Sequence, residues 1–250
     1  MTTLMFIVVA GFVAGAMNAA AGGGSFVSLP ALVWVGVPAL AANISSTIAL
    51  WPAGLASAWA FREDFRPFNE VSLPALTIAS LLGGGVGALL LLLTPQSAFD
   101  AVIPWLLLVA TLTFAFGHRL GPALRQRLRI GPVTLILVQF VLAVYGGYFG
   151  GAVGIMMMAA WTLLSGSDLH RMNPVRTVLV SATNGVAVLC FLVAAQVWWG
   201  HTAAMLAGAT AGGYVGARVV RRLDTRWLRF AVIALTAVIT MLFFVRAMGE

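Results

Sequence analysis

The sequence predicts an all-α integral membrane protein made of two inverted repeats, each with four spanning helices plus a short broken or re-entrant segment. Three observations lead there. Of 250 residues, 61% are hydrophobic and only 8% charged, whereas a soluble domain carries about 25% charged residues. No polar shell remains to cover a globule, so most of the surface must face lipid, where the backbone has to bond to itself as helices or a closed barrel. The apolar runs are about 17 to 23 residues long without polar alternation, which favours helices. Finally, motifs of the first half return in the second in the same order.

The elements follow from the apolar runs. A helix is expected over 4–21. It lacks a basic leader, since the first Arg is Arg62, so it reads as a retained helix and not as a signal peptide. A glycine-rich break, a short apolar piece at 26–37, and helices at 43–61, 71–93 and 98–117 complete the first half. The second half reads 132–149, a break, 155–165, then 174–197, 200–219 and 227–246. The short pieces are too brief to span as helices. The organisation is therefore an N-terminal membrane repeat over 1–117, a basic cytoplasmic linker over 118–131, and a C-terminal membrane repeat over 132–250.

The duplication rests on three matches. Gly83-Gly84-Gly85-Val86-Gly87 resembles Gly212-Gly213-Tyr214-Val215-Gly216 at an offset of 216 − 87 = 129. Asn43 through Thr47 faces Asn173 through Thr177 at 173 − 43 = 130. Gly11-xxx-Gly15 echoes Gly147-xxx-Gly151 at 147 − 11 = 136, which requires a gap.

Arginine placement orients the repeats. All fourteen basic residues are Arg, and nearly all fall between apolar runs. If each half crosses four times, the halves run parallel and the arginines divide seven against seven. If each opening pair crosses and returns, the second half is inverted and every Arg except Arg246 lies on one side. The positive-inside tendency favours the inverted arrangement, with both termini outside the cytoplasm. The plainer alternative is that arginines cap helices wherever they end. The net charge of +7 is thus a signal of membrane orientation, and no nucleic-acid partner is expected.

Inverted repeats with interrupted helices place transporter sites where the breaks meet near the midplane. The first break, Asn18 to Ser25, contains Gly22, Gly23 and Gly24, whose backbone groups must face protein, water or a ligand. Amides opening the following short helix suit an anion. The second break offers Gly150, Gly151 and Gly154 with fewer polar side chains. Gly11, Gly15, Gly83, Gly87, Gly212 and Gly216 read instead as close helix packing. Asn43 and Asn173 suit helix N-caps, with Ser46, Thr47, Arg176 and Thr177 just after. A cation at a helix start opposes the dipole unless an anion joins it; Arg176 either serves that role, snorkels to the interface, or pairs with Asp168. Asn184 falls midway along an apolar run, where polar groups usually face the bundle interior.

Absences narrow the chemistry. The single Cys190 precludes a disulfide framework, no Cys/His metal cluster appears, and no HExxH, GxSxG or P-loop supports an enzyme. No cofactor is called for. All seven acidic residues fall at or near segment ends, so no midplane carboxylate is available for a cation or a proton relay. The expected partners are a small anionic substrate and the lipid bilayer; a homo-oligomer is compatible with the sequence.

Gly11-xxx-Gly15-xx-Asn18-xxx-Gly22-Gly23-Gly24, then Pro30-x-Leu32, Gly36-x-Pro38 and Ala41-Ala42 up to Thr47, resembles the sulfite exporter TauE/SafE family of membrane transporters. The resemblance implies passage of sulfite, sulfoacetate, thiosulfate or similar anions across the bacterial inner membrane. The second half departs from the pattern, with Ile155-Met156-Met157-Met158 where glycines and a proline are expected, and Arg176 opposite Ser46. A non-transporting membrane scaffold subunit is the competing reading, for which only the 118–131 segment offers polar surface.

Overall fold

A computed structural model describes residues 2–60, 62–63, 71–125, 131–162, 169–220 and 225–249. Within these, ten α-helices follow one another and no strand occurs: α1 (Thr2–Ala21), α2 (Ser25–Trp34), α3 (Ala39–Ala60), α4 (Leu73–Leu93), α5 (Gln96–Arg125), α6 (Pro132–Tyr148), α7 (Val153–Thr162), α8 (Leu169–Ala194), α9 (Trp199–Val220) and α10 (Thr225–Gly249). Five described segments are long and apolar enough to cross a membrane, in α1, α3, α4, α5 and α8. The protein is a multi-pass membrane protein, and large side chains such as Met5, Leu93 and Val193 stay exposed because their solvent is lipid. Fewer segments qualify in the second half. There α6 has only 17 residues, and α9 is diluted by Gly, Thr and Ala.

Both short segments are helices that fold back on their predecessors. A Cβ on Gly24 at the start of α2 would meet the Ala14 carbonyl and Asn18 of α1, and Leu32 near the other end shares a buried cluster with Ile7. In the second half, Val153 of α7 lies against Gly146, and the Trp161 indole N–H donates to Gln139 Oε1 at 3.1 Å. Each hairpin turns on a glycine with positive φ, +74° at Gly22 and +78° at Gly150, a conformation an L side chain adopts only with strain. These turns lie 150 − 22 = 128 residues apart.

The glycine-rich helices pack crosswise between the halves. Gly208, Gly212 and Gly216 of α9 press on Val8, Phe12 and Ala16 of α1, so α1 and α9 run parallel. Gly83 and Gly87 of α4 press on Phe140 and Val144 of α6 in the same way. Phe140 is Phe12 plus 128, and Gly212 is Gly83 plus 129. Lipid supplies no hydrophobic drive to helix association, and packing depends on such close backbone approach.

Two further helix pairs join the first half to the second. The hydroxyls of Thr111 and Thr240, with 240 − 111 = 129, lie 2.9 Å apart, and Trp105 meets Phe244 with ring centroids 5.2 Å apart. Advancing along α5 therefore means retreating along α10, and the two run antiparallel. In α3 and α8, the Trp51 indole N–H donates to the Ser181 carbonyl at 3.0 Å, with 181 − 51 = 130. Gly54 faces Ser181 and Gly185 faces Trp51, the same reversed order.

Boundaries differ from expectation where apolarity and helicity part company. Helix α5 continues to Arg125, into the stretch assigned to the linker, because a helix that leaves the apolar layer need not end there. Helices α3 and α8 begin at Ala39 and Leu169, so Asn43 and Asn173 are not N-caps. Asn43 instead uses its side-chain N–H on the Tyr148 carbonyl at 2.9 Å. Arg66, Arg127, Arg129, Arg221, Arg222 and Asp168 lie outside the described residues.

Candidate functional site

The two hairpin turns meet α3 and α8 around a cavity of about 60 Å³. A single water needs only about 10–15 Å³ of such space, so a small polyatomic solute fits. Asn18, Gly22, Ser25, Thr47, Gly150, Gly154, Arg176, Thr177 and Asn184 line it together. The other four expected residues turn elsewhere. Gly23 packs on Phe114 and Met17, Gly24 on Ala14, and Gly151 on the Phe149 ring. Ser46 is buried, with its hydroxyl 2.5 Å from that of Ser28.

Arg176 supplies the charge. Its stem crosses Gly154, where an added Cβ would sit 3.1 Å from Cδ, and Nη1 points towards Gly22, 3.7 Å from the Cβ position. Two glycines thus leave room for one long side chain. Seven residues separate Arg176 from the start of α8, since 176 − 169 = 7, so the expected clash with that helix dipole does not arise. No lining residue is acidic, and no described carboxylate pairs with Arg176; Asp168, the expected alternative partner, lies outside the described residues.

Uncharged side chains and backbone complete the lining. Ser25 and Val153, the first residues of α2 and α7, both line the cavity. The Phe26 and Val27 N–H groups bond back to the Gly23 and Gly24 carbonyls and the Ile155 N–H to Ala152, and each N-terminus carries about half a positive charge. Some hydroxyls are already engaged: Thr47 donates to the Asn43 carbonyl at 2.9 Å and Ser57 to Ala53 at 2.9 Å. Asn184 Oδ1 is buried without a partner. No group of His, Cys, Asp or Glu among the described residues could hold a metal ion.

Several lining residues were missed from the sequence, notably Trp51, Ser57 and Ser181. Thr177, Ser181 and Asn184 stand at i, i+4 and i+7 of α8, and Thr47, Trp51 and Gly54 repeat that spacing in α3. A polar stripe at helical period was the available signal for Ser181. Nothing marked the indole.

The family model for the sulfite exporter TauE/SafE family matches residues 7–243. The chain belongs to that family. Curated relatives span its length. A Haemophilus influenzae protein described as "Probable membrane transporter protein" is 29% identical over 231 residues, covering 92% of this chain and 90% of its own. A Sinorhizobium protein described as "Probable membrane transporter protein ORF9" is 30% identical over 86% of this chain and 82% of its own. The Escherichia coli K12 protein "Probable membrane transporter protein YfcA" is 27% identical over 91% and 84%. No solved structure matches the chain. Within the TauE/SafE family, this chain is a membrane transporter.

Proposed function

We propose that the protein is an exporter or facilitator of small sulfur-containing or organic anions such as sulfite, sulfoacetate or thiosulfate, acting in the bacterial inner membrane without catalysis. The observation that carries this reading is Arg176, set in a cavity without acidic residues, between the N-termini of α2 and α7. One full charge and two half charges give roughly two positive charges, which match a doubly charged anion. Asn18, Ser25, Asn184 and the Gly22 and Gly150 turns would orient its oxygens, while Thr47, whose hydroxyl donates to Asn43, and Thr177 shape the wall. Gly23, Gly24, Gly151 and Ser46 serve the packing of the site.

The inverted repeat belongs to the same reading. It is supported by the antiparallel order of α5 against α10 and of α3 against α8, since counterparts that touch in reversed order require a two-fold axis perpendicular to the helices. The hairpins make the crossings per half odd, which puts nearly all arginines on one side.

Flux of labelled sulfite into proteoliposomes tests the proposal, with sulfoacetate and chloride as competitors. Saturable flux blocked by sulfoacetate but not by chloride is expected. Folded protein giving no flux above protein-free vesicles, for sulfite and a wider anion panel alike, would leave the scaffold reading standing.

A further inference from the structure

The cavity is symmetric at its centre and lopsided at one end. Across the repeat, the counterparts Gly22 and Gly150, Thr47 and Thr177, and Trp51 and Ser181 all line it, at the offsets of 128 and 130 found in the fold. Five lining residues have no lining counterpart: Asn18, Ala19, Ser57, Gly154 and Arg176. Their equivalents at those offsets are Gly146, Gly147, Ala187, Phe26 and Ser46, and every one is buried.

The unmatched residues gather at one end. Helices α3 and α8 are antiparallel, so Ser57 near the end of α3 lies at the same end as Arg176 near the start of α8. Gly22, Gly154 and the Arg176 side chain are neighbours there. That end of α3 leads directly to the exposed Arg62 and Glu63. By the repeat pairing, the position that Gly154 leaves open for the Arg176 stem is occupied by Phe26, fully buried and edge-on to Phe114 at 5.6 Å. Ser46 stands in the place of Arg176 and is tied to Ser28.

We infer that in this conformation the cavity is open at one end, along a path lined by Asn18, Ser57 and Arg176, and that Phe26 with the Ser28–Ser46 pair closes the opposite end. The inference rests on the repeat pairing behind the proposed function but not on the identity of the cargo. The two halves have the same backbone plan and differ here in side-chain bulk, so the asymmetry has a local cause: a long cation beside a glycine in one half, a phenyl ring beside a short hydroxyl pair in the other. An anion reaching the cavity along this path meets Arg176 before it reaches the axis.

Thiol labelling separates this from a failure of transport. In full-length protein carrying Cys190→Ser, single substitutions Ser57→Cys, Ser46→Cys and Glu63→Cys are exposed to an impermeant, negatively charged thiosulfonate in membrane vesicles of known sidedness. Ser57→Cys should react from the same face as Glu63→Cys, and Ser46→Cys should be slower by an order of magnitude or more from either face. Reaction of Ser57→Cys from the opposite face, no reaction at Ser57→Cys, or equal rates at both serine positions would overturn the inference. Adding Phe26→Ala should raise the Ser46→Cys rate towards that of Ser57→Cys, whose own labelling reports an intact fold; Phe26→Val serves where the alanine variant does not fold. Continued protection in the folded variant removes Phe26 as the plug. Sulfite flux plays no part, so the entry path can fail while the proposed cargo stands, or the reverse.

Discussion

Arg176 is the residue on which the chemistry turns, and its setting makes a specific demand. Hydrogen bonds to charged groups contribute about 1.5–3 kcal/mol, so Arg176→Ala should weaken anion binding by roughly ten- to a hundredfold. The loss should be larger for a divalent than for a monovalent anion, because the helix N-termini of α2 and α7 remain. Competition of each anion against labelled sulfite measures both; equal affinity for the two classes in variant and parent removes Arg176 from the site. Arg176→Lys should restore part of the charge but not the planar, forked donor pattern. Gly154→Leu should imitate the loss of Arg176, since its side chain would take the place of the Arg176 stem. Arg176 stood out in the sequence as a cation at a helix start, and the structure places it on the cavity. The reason was not legible there: the dipole conflict expected from a helix starting at Asn173 vanishes once α8 begins at Leu169, and only three-dimensional proximity shows the role of Gly154.

At the scale of elements, glycine spacing decides which helices touch. An added Cβ on Gly87 would collide with the Val144 carbonyl of α6, and one on Gly212 with the Phe12 carbonyl of α1. Overpacking costs typically about 1–3 kcal/mol, so Gly87→Ala and Gly212→Ala should each lower the melting temperature of the purified protein. Gly131→Ala has nothing within 4 Å and no positive φ, and should leave it unchanged. Similar melting of all three variants would mean that these helices separate readily or that the contacts add little. The existence of all ten helices was legible from apolar runs, because lipid forces backbone satisfaction within each segment. Their ends were less so. Hydropathy reports where a chain leaves the apolar layer, whereas a helix ends where capping, proline or glycine stops it; α5 passes its apolar limit, and α3 starts as soon as Pro38 is behind it. The hairpin turns were found as breaks, but the pairing of Gly22 with Gly150 was not drawn, since beyond the shared Gly-Gly pairs Gly22-Gly23 and Gly150-Gly151 the flanking residues differ.

For the whole molecule, the repeat makes its firmest demand on topology. On the proposed inverted arrangement, α2 and α7 fold back along α1 and α6, each half crosses an odd number of times, and the start of α1 and the end of α10 come to the same face. That face is opposite the loop holding Arg62 and Glu63, which the arginine bias assigns to the cytoplasm. A green fluorescent protein fused after residue 250 should therefore stay dark, and alkaline phosphatase fused there should be active. Fusions after Glu63 should show the reverse. Fluorescent, phosphatase-inactive fusions at both Glu63 and the C-terminus would require an even number of crossings between them, and α5 and α10 could then no longer be related by a two-fold axis in the membrane plane. The contact between Thr111 and Thr240 sharpens the test. Cysteines at these two positions share one depth in the inverted arrangement and should form an intramolecular cross-link. Cysteines at Trp105 and its sequence counterpart Ala234, with 234 − 105 = 129, should not, because in antiparallel helices those positions move apart as each departs from the axis.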